Sequence, residues 1–138
     1  MNSMERLAIK KEVIDRMIAH AHEQLPYEAC GLLSGRGKNA WQIWELINES
    51  NKLNRFYVGE AATRAVLDCI AAAGEKALAI YHSHPTSRAF PSSADLIYHP
   101  DPEILMVIIS LKHQVPDIKC FKIVGRKYSE YSLHIGGA

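Results

Sequence analysis

Apolar positions near the start of the chain follow a helical period. Val13, Ile14, Met17, Ile18 and Ala21 fall at i, i+1, i+4, i+5 and i+8, one stripe of an amphipathic helix that ends before Pro26. After Pro26 the pattern changes. Cys30 to Leu33 is a short apolar run closed by Gly35-Arg36-Gly37-Lys38-Asn39, which reads as a strand and a turn, with Trp41 to Ile47 as the returning arm of a hairpin. Asn48 to Arg55 is polar and reads as a loop, and Phe56, Tyr57 and Val58 are expected to add a strand after it.

From Gly59 to Ala73, an alanine-rich segment places Ala62, Ala65, Val66, Cys69, Ile70 and Ala73 on one side of a second helix, which Gly74 terminates. Leu78 and Ile80 belong to a buried strand that runs into Tyr81 and His82. A loop with Pro85, Ser87 and Pro91 follows, then a short helix opening near Ser92, a strand from Leu105 to Leu111, and a final pair at Ile118 to Val124 and Tyr128 to Ile135. Helices alternate with strands first and strands cluster at the end. That order predicts an α/β or α+β fold, a mixed sheet flanked by helices.

At 138 residues with 48% hydrophobic content, the chain suffices for one core, so residues 1–138 are expected to form a single domain. Sixteen Lys+Arg against 15 Asp+Glu leave a formal charge of +1, which offers no electrostatic case for nucleic acid or an anionic membrane. Ile104 to Leu111, the longest apolar run near the middle, is far short of the roughly 20 residues of a membrane span. The N-terminus is charged from Glu5 onward, so neither a signal peptide nor a transmembrane helix is expected. The three cysteines, Cys30, Cys69 and Cys120, form no Cys-x-x-Cys pair and read as reduced thiols of a cytoplasmic protein.

Chemistry concentrates in His82-Ser83-His84-Pro85 with Ser92 and Asp95 downstream. Two histidines at i and i+2 of a strand end share a face, where both imidazoles reach one metal ion. Asp95, in the first turn of the short helix, can turn its carboxylate back as a third ligand. Two His and one carboxylate leave a fourth tetrahedral position open for water, the arrangement of a catalytic site. Each part also has a plain reading: Ser92 with Asp95 matches a Ser-x-x-acid capping box, and His-x-His alone is unspecific.

Taken whole, the string reads His-x-His-x7-Ser-x2-Asp, and in this it resembles the JAMM (MPN+) zinc metallopeptidases, with no departure. The resemblance runs from the first helix to the last strands. It implies the JAMM fold, related to that of the cytidine deaminases, but not deaminase chemistry, since the His-x-Glu and Cys-x-x-Cys signature is missing. It also implies an upstream glutamate, and Glu28 in Pro26-Tyr27-Glu28-Ala29-Cys30-Gly31-Leu32-Leu33 is similar to that of the small bacterial members. Without the downstream motif, Glu28 reads as a solvated acid before a strand.

On this footing Zn2+ is expected on His82, His84 and Asp95, with Glu28 as general acid/base and Ser92 as donor to the oxyanion. Cys30 shares the face of Glu28 if both lie on a strand, yet reads as a buried thiol. His20, His22, His99, His113 and His134 have no partner at ligand spacing and read as surface or packing residues; Trp41, Trp44, Phe56 and Tyr57 are a substrate wall or core.

The small prokaryotic members that this chain resembles include peptidases that process the C-terminus of ubiquitin-like sulfur carriers, some by releasing cysteine. The expected substrate is therefore a Gly-Gly-ended carrier protein. The alternatives are a catalytically silent MPN scaffold and a zinc peptidase acting on small peptides. The reading leaves room for a homodimer. The ending Gly136-Gly137-Ala138 resembles a ubiquitin-like tail but reads as a simple terminus.

Overall fold

Leu7–Ile9 is a short strand, β1, that no periodicity announces, and it leads straight into the first amphipathic helix, α1 (Lys11–Glu23). The hairpin follows as β2 (Cys30–Arg36) and β3 (Asn39–Leu46), then α2 (Glu60–Ala72), β4 (Lys76–His84), the short α3 (Ser93–Tyr98), β5 (Leu105–Ser110), β6 (Asp117–Val124), β7 (Lys127–Tyr131) and β8 (Leu133–Ile135). This computed structural model describes residues 5–136. The expectation for the chain's first residues and the reading of Gly137-Ala138 fall, in residues 1–4 and 137–138, outside the described residues.

The strands form one mixed sheet in the order β7-β6-β5-β4-β2-β3-β1-β8. β4 runs parallel to β5, and β1 runs parallel to both β3 and β8, while the remaining neighbours are antiparallel. Only Ser132 separates β7 from β8, so the chain passes directly from one end of that order to the other and the sheet must curl to bring those ends together. Among the described residues no helix is long and apolar enough to cross a membrane.

Strand alternation divides the buried side chains between two faces. On one face Leu33, Tyr81, Val107 and Ile109 meet Val13, Ile14, Met17 and Ala21 of α1, the stripe read from the sequence. Each such side chain contributes about 1.5–3 kcal/mol on burial. Gly31 stands opposite Tyr81, and a Cβ there would fall on the Tyr81 ring and the Trp44 carbonyl, so only glycine lets the strands close over that ring. His20, on α1, is buried with Nδ1 hydrogen-bonded to the Tyr81 hydroxyl at 2.8 Å, and burial lowers its pKa. On the other face Met106, Ile108, Phe121 and Ile123 pack with Ala89, Phe90 and Leu96. His82 lies beside Ile108 and Cys30 in register, which puts it on this second face, away from α1.

Three expectations need correction. Phe56 to Val58 form no strand: the Tyr57 N–H goes to the Asn48 side chain at 3.1 Å and its carbonyl to the Glu49 N–H at 2.7 Å, so local loop bonds take the backbone groups a ladder would use. Of the face predicted for α2, only Ile70 is buried, and Ala62, Ala65, Cys69 and Ala73 are exposed. The C-terminal end of α2 is held by Glu75, whose carboxylate accepts from Ser34 Oγ at 2.7 Å and Trp41 Nε1 at 2.9 Å; the alanines reflect helix propensity rather than burial. Tyr128 to Ile135 is broken at Ser132 into β7, which pairs with β6, and β8, which pairs with β1.

Candidate active site

The last residues of β4 carry the first two groups. His82 and His84 are both buried, and their Nε2 atoms lie 3.1 Å apart. Asp95 enters from the first turn of α3 and places Oδ2 3.0 Å from His82 Nε2 and 3.1 Å from His84 Nε2. These three atoms make a near-equilateral triangle. Ligands about 2.0–2.1 Å from a tetrahedral zinc are about 3.3 Å from one another, so the triangle is already close to one face of such a coordination shell.

Protonation supports the same assignment. His84 Nδ1 lies 2.8 Å from the Arg88 carbonyl, which can only accept, so Nδ1 holds a proton and Nε2 is the ring nitrogen turned toward Asp95 and available to a metal. The shifts follow the surroundings. Burial alone would raise the Asp95 carboxyl, but His82, His84 and the Ser92 N–H outweigh it and hold the group far below the usual carboxylate range. Burial pushes the wholly enclosed His82 down, whereas at His84 burial is outweighed by Asp95 and the Arg88 carbonyl and the pKa rises.

Asp95 keeps its capping duty as well. Ser92 Oγ accepts the Asp95 N–H at 3.2 Å, and Asp95 Oδ2 accepts the Ser92 N–H at 2.9 Å, a reciprocal capping box that aims the carboxylate at the histidines. Capping and metal geometry therefore coexist at the same two residues. The Ser92 hydroxyl, acting as acceptor in the cap, retains its proton for donation.

Glu28 sits two residues before β2 rather than on it. Its position is set by its neighbours: the Ala29 N–H donates to Ser83 Oγ at 2.8 Å, the Ser83 N–H returns to the Ala29 carbonyl at 3.0 Å, and the Glu28 carbonyl accepts Asn48 Nδ2 at 2.9 Å. The carboxyl is only 4% exposed and its Oε1 has no hydrogen-bond partner among the described residues. Burial is the main reason that its pKa rises to about 7, with His84 opposing and Asp95 adding to the rise. An unsatisfied buried carboxylate that titrates near neutrality suits a group that takes up and releases a proton.

Glu28, His84 and Ser92 line one cleft of about 370 Å³, together with Arg55, Pro85 and Thr86. A second cleft of about 520 Å³ lies far from this chemistry, where β6 and β7 meet β8, and its charged groups are the paired Lys119 and Glu130.

The other sequence candidates fall elsewhere. Cys30 is buried beside His82, and burial followed by the charges of Glu28 and Glu49 pushes its thiol up to about 12, the state of an inert packing residue. Trp41 and Trp44 tie down Glu75 and Ser34. Phe56 stacks on His82 with ring centroids 4.9 Å apart, while Tyr57 is exposed. Of the remaining histidines, His99 donates its Nε2–H to the Ile104 carbonyl, 2.6 Å away, and none joins a metal-type cluster among the described residues. Ser83 and Asn48 were not singled out from the sequence; the position of Ser83 inside His-x-His was the one signal available for either.

This fold and this His-His-Asp triad beside a buried glutamate define the JAMM/MPN class of peptidases. The chain belongs to the prokaryotic homologs of the JAB domain, whose family model matches residues 10–124. Among curated relatives, it is 26% identical over 133 residues to the CysO-cysteine peptidase of Mycobacterium tuberculosis, covering 94% of this chain and 90% of the relative. It is 31% identical over 98 residues to the desampylase of Haloferax volcanii, covering 65% of this chain and 70% of the relative. Among solved structures, a Desulfitobacterium hafniense protein superposes with a TM-score of 0.86 at 31% identity, over 96% of this chain and 94% of that one. A JAB1/MPN domain protein of Archaeoglobus fulgidus shares the fold with a TM-score of 0.65 at 20% identity, over 95% and 100% of the two chains.

Proposed function

We propose that this protein, acting as one domain over residues 1–138, is a zinc-dependent peptidase that cuts after the C-terminal Gly-Gly of a ubiquitin-like sulfur carrier, releasing cysteine or a short tail. The observation that carries the reading is a cleft lined by both the unpartnered buried carboxyl of Glu28 and His84, one corner of the three-ligand triangle. His82, His84 and Asp95 are the ligands in this reading, and a nitrogen and carboxylate donor set at tetrahedral spacing favours zinc. Bound there, zinc supplies a water acidified to near neutrality and a Lewis acid for the scissile carbonyl.

The chain's own groups do the rest. Glu28 takes the proton of the attacking water on its free oxygen and returns it to the departing amine. Ser92, fixed by its cap bond to Asp95, donates its hydroxyl proton to the oxygen that gains charge. Phe56, stacked on His82, covers one face of that ring. The names of the two curated relatives, a CysO-cysteine peptidase and a desampylase, support a small protein tail as substrate. The three unpaired cysteines fit a cytoplasmic setting.

The test is to incubate the zinc-loaded protein with a sulfur carrier bearing a C-terminal cysteine and, in parallel, with a ubiquitin dimer, and to follow product masses. Cleavage after Gly-Gly that disappears in Glu28→Gln supports the reading. Efficient cutting of the dimer with none of the carrier adduct overturns the substrate, and inactivity on both moves the assignment to the small-peptide or scaffold alternatives.

A further inference from the structure

Glu28, Arg55 and His84 are the titratable side chains along the cleft, so Arg55 provides its one permanent positive charge among the described residues. The Arg55 side chain is exposed and makes no ion pair or hydrogen bond there. Its backbone, by contrast, is fixed. Asn48 Nδ2 donates to the Glu28 carbonyl at 2.9 Å and to the Arg55 carbonyl at 3.3 Å, so one amide nitrogen holds the arginine segment alongside the glutamate segment. Asn48 Oδ1 accepts the N–H of Ser50 at 2.9 Å and of Tyr57 at 3.1 Å, which closes the loop on both sides of Arg55. A guanidinium on an anchored backbone, lining the same cleft as Glu28, is placed to meet an anion carried by the substrate rather than by the protein.

We propose that Arg55 binds the free α-carboxylate of a single-residue leaving group and so makes the enzyme select a chain terminus over an internal or lysine-linked bond. The proposal rests on the peptidase reading above and names the form of substrate the same cleft accepts. A volume of about 370 Å³, at about 30 Å³ per water, holds on the order of a dozen waters. That is room for the scissile peptide and one residue beyond it, whose carboxylate lies a few bonds past the bond that is cut. In hydrolysis the water oxygen joins the carbonyl carbon, the C–N bond breaks, a water proton passes to the departing nitrogen, and the released amino acid leaves with its carboxylate unchanged. The guanidinium fork matches that carboxylate in two parallel hydrogen bonds. Charge on Arg55 leaves the base alone: the electrostatic influences on Glu28 come from His84 and Asp95.

The experiment uses the zinc-loaded full chain and a sulfur carrier ending in Gly-Gly-Cys, prepared as the free acid and as its carboxamide, with a lysine-linked carrier as third substrate. The wild type is expected to prefer the acid by roughly tenfold to a hundredfold in kcat/KM, the usual worth of a hydrogen-bonded charge. Arg55→Ala should bring that ratio close to one, with the loss in KM, and Arg55→Lys should retain part of it; unchanged melting temperatures exclude misfolding. A wild-type ratio near one, or a preference that survives in Arg55→Ala, overturns the role of Arg55 and leaves the peptidase reading in place. Cleavage of the lysine-linked carrier with no action on acid or amide overturns both this proposal and the carrier-tail substrate.

Discussion

Ser83 and Ala29 exchange two hydrogen bonds across 54 residues of sequence, Ala29 N–H to Ser83 Oγ at 2.8 Å and Ser83 N–H to the Ala29 carbonyl at 3.0 Å. The residue between the two histidines thus holds the residue after the glutamate, and this clasp fixes the Glu28 segment beside the strand end that carries His82 and His84.

Ser83→Ala removes the acceptor of a buried N–H and is expected to cost about 1–3 kcal/mol of stability. Turnover should fall with it while zinc content stays, because both histidines keep their own strand. Thermal melts, zinc analysis and kcat on the same preparation check this; a variant with normal kcat would show that the clasp serves folding alone.

Glu28→Gln keeps the size of the side chain but cannot take a proton, so activity should drop by roughly two to four orders of magnitude with zinc retained. Stability offers an independent reading in the metal-free protein. The folded pKa is raised from 4.5 to about 7, so folding is favoured by the protonated acid, and that contribution is lost as pH climbs through this window. At about 1.36 kcal/mol per unit, the loss approaches about 3 kcal/mol above pH 7. The glutamine variant does not titrate there. It should be more stable than wild type at pH 8 and close to it near pH 4.5, measured by denaturant melts; a gap that does not change with pH counts against a buried, titrating Glu28.

His84→Ala takes away one corner of the ligand triangle and exposes Asp95 Oδ2 to a single imidazole. Zinc retained after dialysis should fall to roughly a tenth of the wild-type value or less, and activity with it. Full occupancy measured by elemental analysis would place the metal elsewhere.

Ser92→Ala tests two roles that one hydroxyl holds. Loss of the cap bond to the Asp95 N–H predicts about 1 kcal/mol of destabilisation. Loss of an oxyanion donor predicts a fall of about 10²–10³ in kcat. If the melting point drops and kcat does not, Ser92 is a cap only.

What could be read in advance was whatever the local sequence determines. The spacing of His82, His84, Ser92 and Asp95 survives into three dimensions because a strand end and a helix start each fix their own side chains within a few residues. Glu28 entered by resemblance, since nothing near it in sequence declares that its carboxyl is buried. Ser83 and Asn48 escaped notice because their partners lie 54 and 20 residues away. β1 and β8 are three residues each and exist by pairing Leu7 with Leu133, too short to display a period. The α2 stripe misled in the opposite direction, since alanine marks a helix whether or not anything covers it.

The pairing of β1 with β8 also sets an order of events during synthesis. Residues 7–9 are made early, yet one of their two neighbours in the sheet is residues 133–135. Until those have left the ribosome, β1 presents an open edge. His82 and His84 on β4, Asp95 on α3, and β5 beside them are all translated before that point. A nascent chain can therefore hold His82, His84 and Asp95 while one edge of β1 is still unpaired, and that edge is covered only when residues 133–135 arrive.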